Sequence, residues 1–367
     1  MKNLSDIRSK KLPLSVSLEI NNVCNAKCTF CAYGKNDPDV IPLYDTPIID
    51  KRPKQHLSKD VLKHVIKLCN SNGSGFLKKM SITPTLGEVT VSKNWLDLVR
   101  EVKQSKGVRY TSSYTNAINL HRFGSQAIID SGLDVLEIST SLVDRKSYKR
   151  IYGRDKYDQV LANITDLISL NKDLGYPMDI YLNLRIDLPE EVFFKSEVYK
   201  TLVKYMDKRK ISFLKKYDNY GGVILPKDLP KGATMVSREI NLGKPPCYQL
   251  YRQLMVNVDG TIQACTCRTD ESLMTRNILE YSTLEAAWKN DKLEKIRNDW
   301  EKGVLPNACV TCTHYGSYKK IYNYYKIYPR FKSYVISSIR GTIVYVFFKK
   351  IFHNFGNFSE SIINRDG

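Results

Sequence analysis

The chain has 367 residues, 42% of them hydrophobic, and a formal net charge of +19. That apolar content excludes a disordered chain and is enough for one large domain and something smaller. The charge favours acidic partners, among them nucleic acid, anionic lipid, a sugar nucleotide or an acidic electron-transfer protein. The N-terminal run MKNLSDIRSKKLPLS lacks the apolar core of a signal peptide. Its nine cysteines are therefore expected to bind metal in a reducing cytoplasm, not to form a disulfide framework.

The first strand pattern is Leu14–Ile20. Directly after it, LEINNVCNAKCTFCAYG sets Cys24, Cys28 and Cys31 at the spacing Cys-x3-Cys-x2-Cys, with no fourth cysteine before Cys69. Structural zinc closes its shell with four protein ligands, while cubane iron–sulfur clusters are held by thiolates, normally four. Three close thiolates on one loop thus point to a [4Fe–4S] cluster with one iron open. A zinc site completed by His56, Cys69 or a remote ligand is the alternative. With the aromatic Phe30 just before the last cysteine, the loop resembles that of the radical S-adenosylmethionine (SAM) superfamily. The resemblance implies that SAM chelates the open iron and that electron transfer cleaves it to a 5′-deoxyadenosyl radical. That radical would take hydrogen from a substrate carbon.

Residues 35–56 contain four prolines and no period, the texture of a lid or of an exposed insertion. Beyond them, amphipathic helix patterns at Ser58–Asn70, Ser92–Lys106 and Asp155–Lys172 alternate with strand patterns at Met80–Thr83, Val108–Thr115, Asp134–Ser139, Met178–Ile186 and Ile211–Leu214. Ser58 and Ser92 are the expected N-caps. Strand–helix alternation predicts parallel βαβ units. Six of them fit the α/β fold that the resemblance implies, a partial (β/α)6 TIM-like barrel over residues 1–243. Its site would lie at the C-terminal strand ends, where the cysteine loop follows the first strand.

Further marks of the same resemblance follow in chain order. In ITPTLGEVTVS, Gly87 and Glu88 match the end of the family's Gly-Gly-Glu, with Leu86 in place of the first glycine; the motif implies that Glu88 holds the SAM ammonium. Asn116 in YTNAINL is similar to a Thr-Asn-Gly at the end of the third strand. In DVLEISTSLVDRKSYKRIY, Ser139 matches a serine that contacts SAM. Arg150, ahead of Gly153, matches an arginine that could reach the SAM carboxylate; Ser141 stands where the family often has aspartate. Gly-Glu alone carries no meaning, and the bland reading makes Ser139 a strand end and Arg150 a solvated helix residue.

Past residue 240, Asp259-Gly260 marks a hairpin between LMVNV and TIQAC, and a helix pattern covers about Leu284–Trp300. Around them lie Cys247, Cys265, Cys267, Cys309 and Cys312. This resembles a SPASM/twitch domain, here residues 244–317, a hairpin plus helix. The short twitch form implies one auxiliary [4Fe–4S] cluster on Cys247, Cys265, Cys309 and Cys312. Cys267 is surplus: it could replace Cys265 or lie beside the cluster. A four-cysteine zinc ribbon is the alternative. Cys69 is expected to be a buried small hydrophobe.

Residues 318–367 hold thirteen aromatics and nine Lys/Arg against Glu360 and Asp366. Such a tail suits the surface of an anionic membrane, a partner, or self-packing; nucleic acid is not expected. The leading reading is a radical SAM enzyme fed by a flavodoxin- or ferredoxin-type donor, oxidising or rearranging a carbohydrate or nucleotide-sugar. About twelve residues precede the first strand, too few for a leader-binding domain. A peptide-modifying radical SAM enzyme is the alternative, and a non-catalytic, nucleic-acid-binding zinc protein is the rival of another class. For the proton acceptor, Arg185, Tyr248 and Arg252 are polar groups near the expected positions.

Overall fold

The computed structural model describes residues 4–32, 52–71, 77–220, 224–236 and 240–321. Most of the irregular 35–56 stretch and of the 318–367 tail lies outside them. Among the described residues, no helix is long and apolar enough to cross a membrane.

Six strands run parallel in sequence order: β1 Ser15–Leu18, β2 Leu77–Ile82, β3 Val108–Thr115, β4 Val135–Thr140, β5 Asp179–Leu184 and β6 Ile211–Phe213. Burial alternates along the later ones. On β4 and β5, Leu136, Ile138, Thr140, Ile180, Leu182 and Leu184 are buried with the helices, and Glu137, Ser139, Tyr181 and Asn183 are half-buried on the opposite face. Crossover helices therefore cover one face of the curved sheet, and the other is the inner face of a partial barrel. Register pairs Tyr114 with Glu137, and Glu137 with Tyr181. Ser139 lies opposite Asn183. A polar row thus crosses the inner wall.

The chain then adds a short parallel pair, β7 Lys216–Tyr217 and β8 Thr234–Met235. Next come β9 Gln253–Val256, β10 Thr261–Gln263 and β11 Met274–Asn277. β9 and β10 form the hairpin that Asp259-Gly260 predicts, with Gly260 at φ 86°. β9 also pairs in parallel with β1, setting Ser17 opposite Met255. The sheet is thereby continuous over nine strands, in the order β11-β10-β9-β1-β2-β3-β4-β5-β6, and it crosses the domain boundary expected at residue 243.

Two expected elements differ. The helix expected over Leu284–Trp300 is two, Leu284–Trp288 and Asp291–Glu301, because Asn290 breaks the first turn-on-turn path and caps the second by accepting from the Leu293 N–H at 2.9 Å. Ser92 is no N-cap for its helix, which runs Trp95–Gln104 behind Asn94. Its buried hydroxyl is instead taken by Asn21 and His56, each at 2.9 Å. Ser58 does cap, accepting from the Val61 N–H at 3.2 Å.

Candidate functional site

The cysteine loop leaves the C-terminal end of β1 and is tied down on two sides. On one side, buried Asn21 donates to the Glu88 carbonyl at 3.0 Å and accepts from the Val23 N–H at 2.9 Å, while the Glu88 N–H donates to the Val23 carbonyl at 2.9 Å. A Cβ on Gly87 would lie 2.9 Å from Pro84 Cβ and 3.1 Å from both Asn21 Oδ1 and the Val23 carbonyl, so only glycine lets the loops meet. On the other side, the Lys27 and Thr29 N–H groups donate to the carbonyls of Tyr152 and Ile151 at the end of the Arg145–Tyr152 helix. That helix stops at Gly153, in the left-handed region at φ 63°, where a Cβ would sit 2.5 Å from the Lys27 carbonyl oxygen. Gly153→Ala therefore combines backbone strain with a backbone clash. Its expected cost is about 2–3 kcal/mol of stability in denaturant titration, with selective loss of metal from the N-terminal cysteines.

Glu88 is buried. Its Oε1 accepts from the Thr90 N–H (3.1 Å), Thr90 Oγ1 (2.7 Å) and Thr115 Oγ1 (2.6 Å), and its Oε2 accepts from the Asn116 N–H (2.7 Å). Burial pushes its pKa up and these donors oppose the rise. Oε2 retains acceptor capacity. Asn116 also donates to Asn25 Oδ1 at 2.7 Å, bridging Glu88 to the cysteine loop. Leu86 is buried in a second small core with Ala32, Tyr217, Ile224 and Leu229. The departure from the double glycine thus exchanges an open backbone for a packed side chain.

Phe30 packs against Tyr152 and Tyr217 at ring distances of 5.8 and 5.5 Å. Arg185, one residue past β5, lays its guanidinium over the Phe30 ring at 4.9 Å and lies close to Cys28. Its Nη1 donates to the Asn183 carbonyl at 3.0 Å, while its buried Nε has no hydrogen-bond partner. Arg150 is differently placed. Both oxygens of Asp187 and the Leu229 carbonyl take its guanidinium, so it joins loop segments beneath the site. Ser139 stands at the end of β4, close to the Tyr152 hydroxyl.

Burial pushes the Cys24 thiol up to about 12 and also raises the Cys28 thiol, and neighbouring thiolates of the triad add to both shifts. Thiolates that destabilise one another are stabilised by a shared cationic centre. Among the described residues, no three His, Cys, Asp or Glu side chains are grouped to hold a single metal ion. Cys69 is buried in the core and His56 is engaged by Ser92.

Cys247, Cys265, Cys267, Cys309 and Cys312 line one cavity. Buried Asn241 donates to the carbonyls of Cys309 (2.8 Å) and Cys312 (3.0 Å) and so shapes that turn. Buried Gln263 donates to the carbonyls of Cys265 and Arg268 and shapes the other. Cys247 is held beside Ser317, the Tyr248 N–H donating to the Gly316 carbonyl at 2.9 Å. Cys267 belongs to the same wall, its N–H donating to Cys265 Sγ at 3.2 Å.

Residues 18–185 match the profile of the radical SAM superfamily, and residues 247–313 match an iron–sulfur cluster-binding domain of the SPASM type. The chain thus carries a radical SAM domain followed by a SPASM-type domain. Among curated proteins, the chain is 27% identical over 147 residues to GTP 3′,8-cyclase of Edwardsiella ictaluri (strain 93-146), 40% of each chain. It is 27% identical over 164 residues to the same enzyme of Yersinia pestis, 45% of this chain and 44% of that one. The match thus spans less than half the length of these relatives. Among solved structures, BtrN in complex with AdoMet and 2-DOIA aligns with TM-score 0.50 and 16% identity, over 82% of this chain and 93% of that one. SuiB of Streptococcus suis bound to its precursor peptide SuiA aligns with TM-score 0.50 and 14% identity, over 80% and 69%. These likenesses establish the fold, a partial TIM-like barrel.

Both cysteine sets fit the clusters of such a protein. The N-terminal triad offers three mutually interacting thiols beside a carboxylate and a buried cation, and the second set offers a thiol-lined cavity. Sequence reasoning assigned no role to Tyr220. It carries a positive φ of 46°, packs on the small core that holds Leu86 and Ala32, and its ring meets the Arg268 guanidinium at 5.1 Å. No local sequence pattern marks such a position.

Proposed function

We propose that this chain is a radical SAM enzyme acting on a hydroxyl-bearing small molecule, a carbohydrate or nucleotide-sugar. Bound at the sites described, the N-terminal cluster and SAM would supply hydrogen abstraction from carbon, and the auxiliary cluster an acceptor for the electron left behind. Cys24, Cys28 and Cys31 would hold the first cluster, and four thiols of the second cavity the other.

The observation that carries the substrate class is the polar inner wall. Asn183 donates to Glu137 Oε2 at 3.3 Å and accepts from Ser212 Oγ at 2.6 Å. Tyr114 faces Glu137 across the register. Tyr114 is 40% exposed, yet surrounding protein, and then Glu137, push its phenol pKa up. Carboxylate, amide and hydroxyl groups on such a wall are suited to hydroxyls. In alcohol oxidation the carbon gives up one hydrogen atom, one electron and the hydroxyl proton; Glu137 is assigned to take that proton.

Arg185 takes the role that sequence reasoning gave to Arg150. A buried guanidinium beside Cys28 with an unmatched Nε suits a carboxylate such as that of SAM. Arg185→Gln is expected to weaken SAM binding about tenfold or more, as for a lost charge-assisted hydrogen bond. Arg150→Gln should leave affinity nearly unchanged. Equilibrium binding under anaerobic conditions compares them. The substrate class is tested by incubating reduced enzyme and SAM with panels of sugars, nucleotide-sugars and peptides. Substrate-dependent mass change in a sugar panel supports the reading, and turnover confined to peptides refutes it.

A further inference from the structure

A buried ion pair borders the second cysteine cavity. Arg268 follows Cys267 directly and lines the same cavity as the five thiols. Its partner is Asp218, just past β7, which does not line it. The two side chains are 3% and 2% exposed. Thr313 Oγ1 donates to the other oxygen of Asp218, and His314 Nε2 lies 3.8 Å from Asp218. The Tyr220 ring stacks on the guanidinium at 5.1 Å, and Arg268 Nη1 donates to the Cys267 carbonyl at 3.1 Å. The pair is thus oriented, with its positive end toward the thiols and its negative end turned away.

We propose that the Arg268–Asp218 pair tunes the auxiliary cluster, raising its reduction potential so that it can accept an electron. Reduction adds one negative charge to the thiolate-held cluster. A fixed guanidinium nearby stabilises the added charge, and low exposure keeps water and salt from screening it. Net charge and burial are recognised determinants of such potentials. Arg268 and Asp218 are here positioning residues, and the inference rests on the second cavity holding an iron–sulfur cluster.

The test is an electron-spin-resonance potentiometric titration of the full-length, anaerobically loaded protein, with SAM present to mark the signal of the N-terminal cluster. Arg268→Gln should lower the auxiliary potential by at least 59 mV, a tenfold change in the oxidised-to-reduced ratio for one electron. Asp218→Asn removes the opposing charge and should raise it. Arg268→Lys, which keeps the charge, should stay near wild type. Iron and sulfide content establishes that each variant carries the cluster; if Arg268→Gln does not load, Asp218→Asn and Arg268→Lys still decide the sign. Shifts of the same sign for Arg268→Gln and Asp218→Asn, or no shift with full clusters, overturn the inference alone. A wild-type protein with no second cluster overturns both the inference and the reading of the cavity.

Discussion

Cys28→Ala is expected to abolish SAM cleavage and to remove roughly half of the bound iron, one of two [4Fe–4S] clusters. Burial raises the Cys28 thiol, which also interacts with both other thiols of the triad and with Arg185. Two thiols cannot close three iron corners, so the cluster site itself would fail. The second cavity shares none of these residues, and the absorption and spin-resonance signature of its cluster should persist. Iron analysis beside a 5′-deoxyadenosine assay reads both effects. Full iron with retained cleavage would show that the triad is not the reactive site.

Glu137→Gln carries the next largest expected effect. The amide preserves shape and can still accept from Asn183 and meet Tyr114, but it cannot take a proton. Loss of a general base costs about 10²–10⁴-fold. Product formation should fall by that factor. Formation of 5′-deoxyadenosine without product should continue, because the cysteine loop, Glu88 and Arg185 are untouched. The ratio of 5′-deoxyadenosine to product is therefore the decisive readout. An unchanged ratio and rate would remove Glu137 from the reaction.

Local chemistry was legible in the sequence. Val108–Thr115 reads as a strand because β-branched and aromatic residues, Val108, Tyr110, Thr111, Tyr114 and Thr115, follow a helix end, and the strand has those bounds. The spacing of Cys24, Cys28 and Cys31 announced the first site because its ligand geometry is set within a few residues on one loop. Asp259-Gly260 announced its hairpin for the same reason. Non-local partners were not legible. Nothing in QLMV says that β9 will pair in parallel with β1, far away in sequence; that pairing is selected by the exposed edge of a finished barrel sheet. β11, read from MTRN, has too weak a pattern to stand without β10 beside it. A helical arginine ahead of a glycine does not disclose Asp187, which comes from another loop and accepts from Arg150 Nε and Nη2. Arg185 could have been weighted more heavily, since a cation at the end of an otherwise apolar and amide-bearing strand must be buried at the mouth of the barrel.

The most direct test is anaerobic. Purified protein, loaded with iron and sulfide, is reduced with dithionite and given SAM, and 5′-deoxyadenosine and methionine are quantified together with the spin-resonance spectrum. A perturbed cluster signal on adding SAM, with both products formed, is the predicted result. An unperturbed signal and no 5′-deoxyadenosine, with zinc filling Cys24, Cys28 and Cys31, would contradict it.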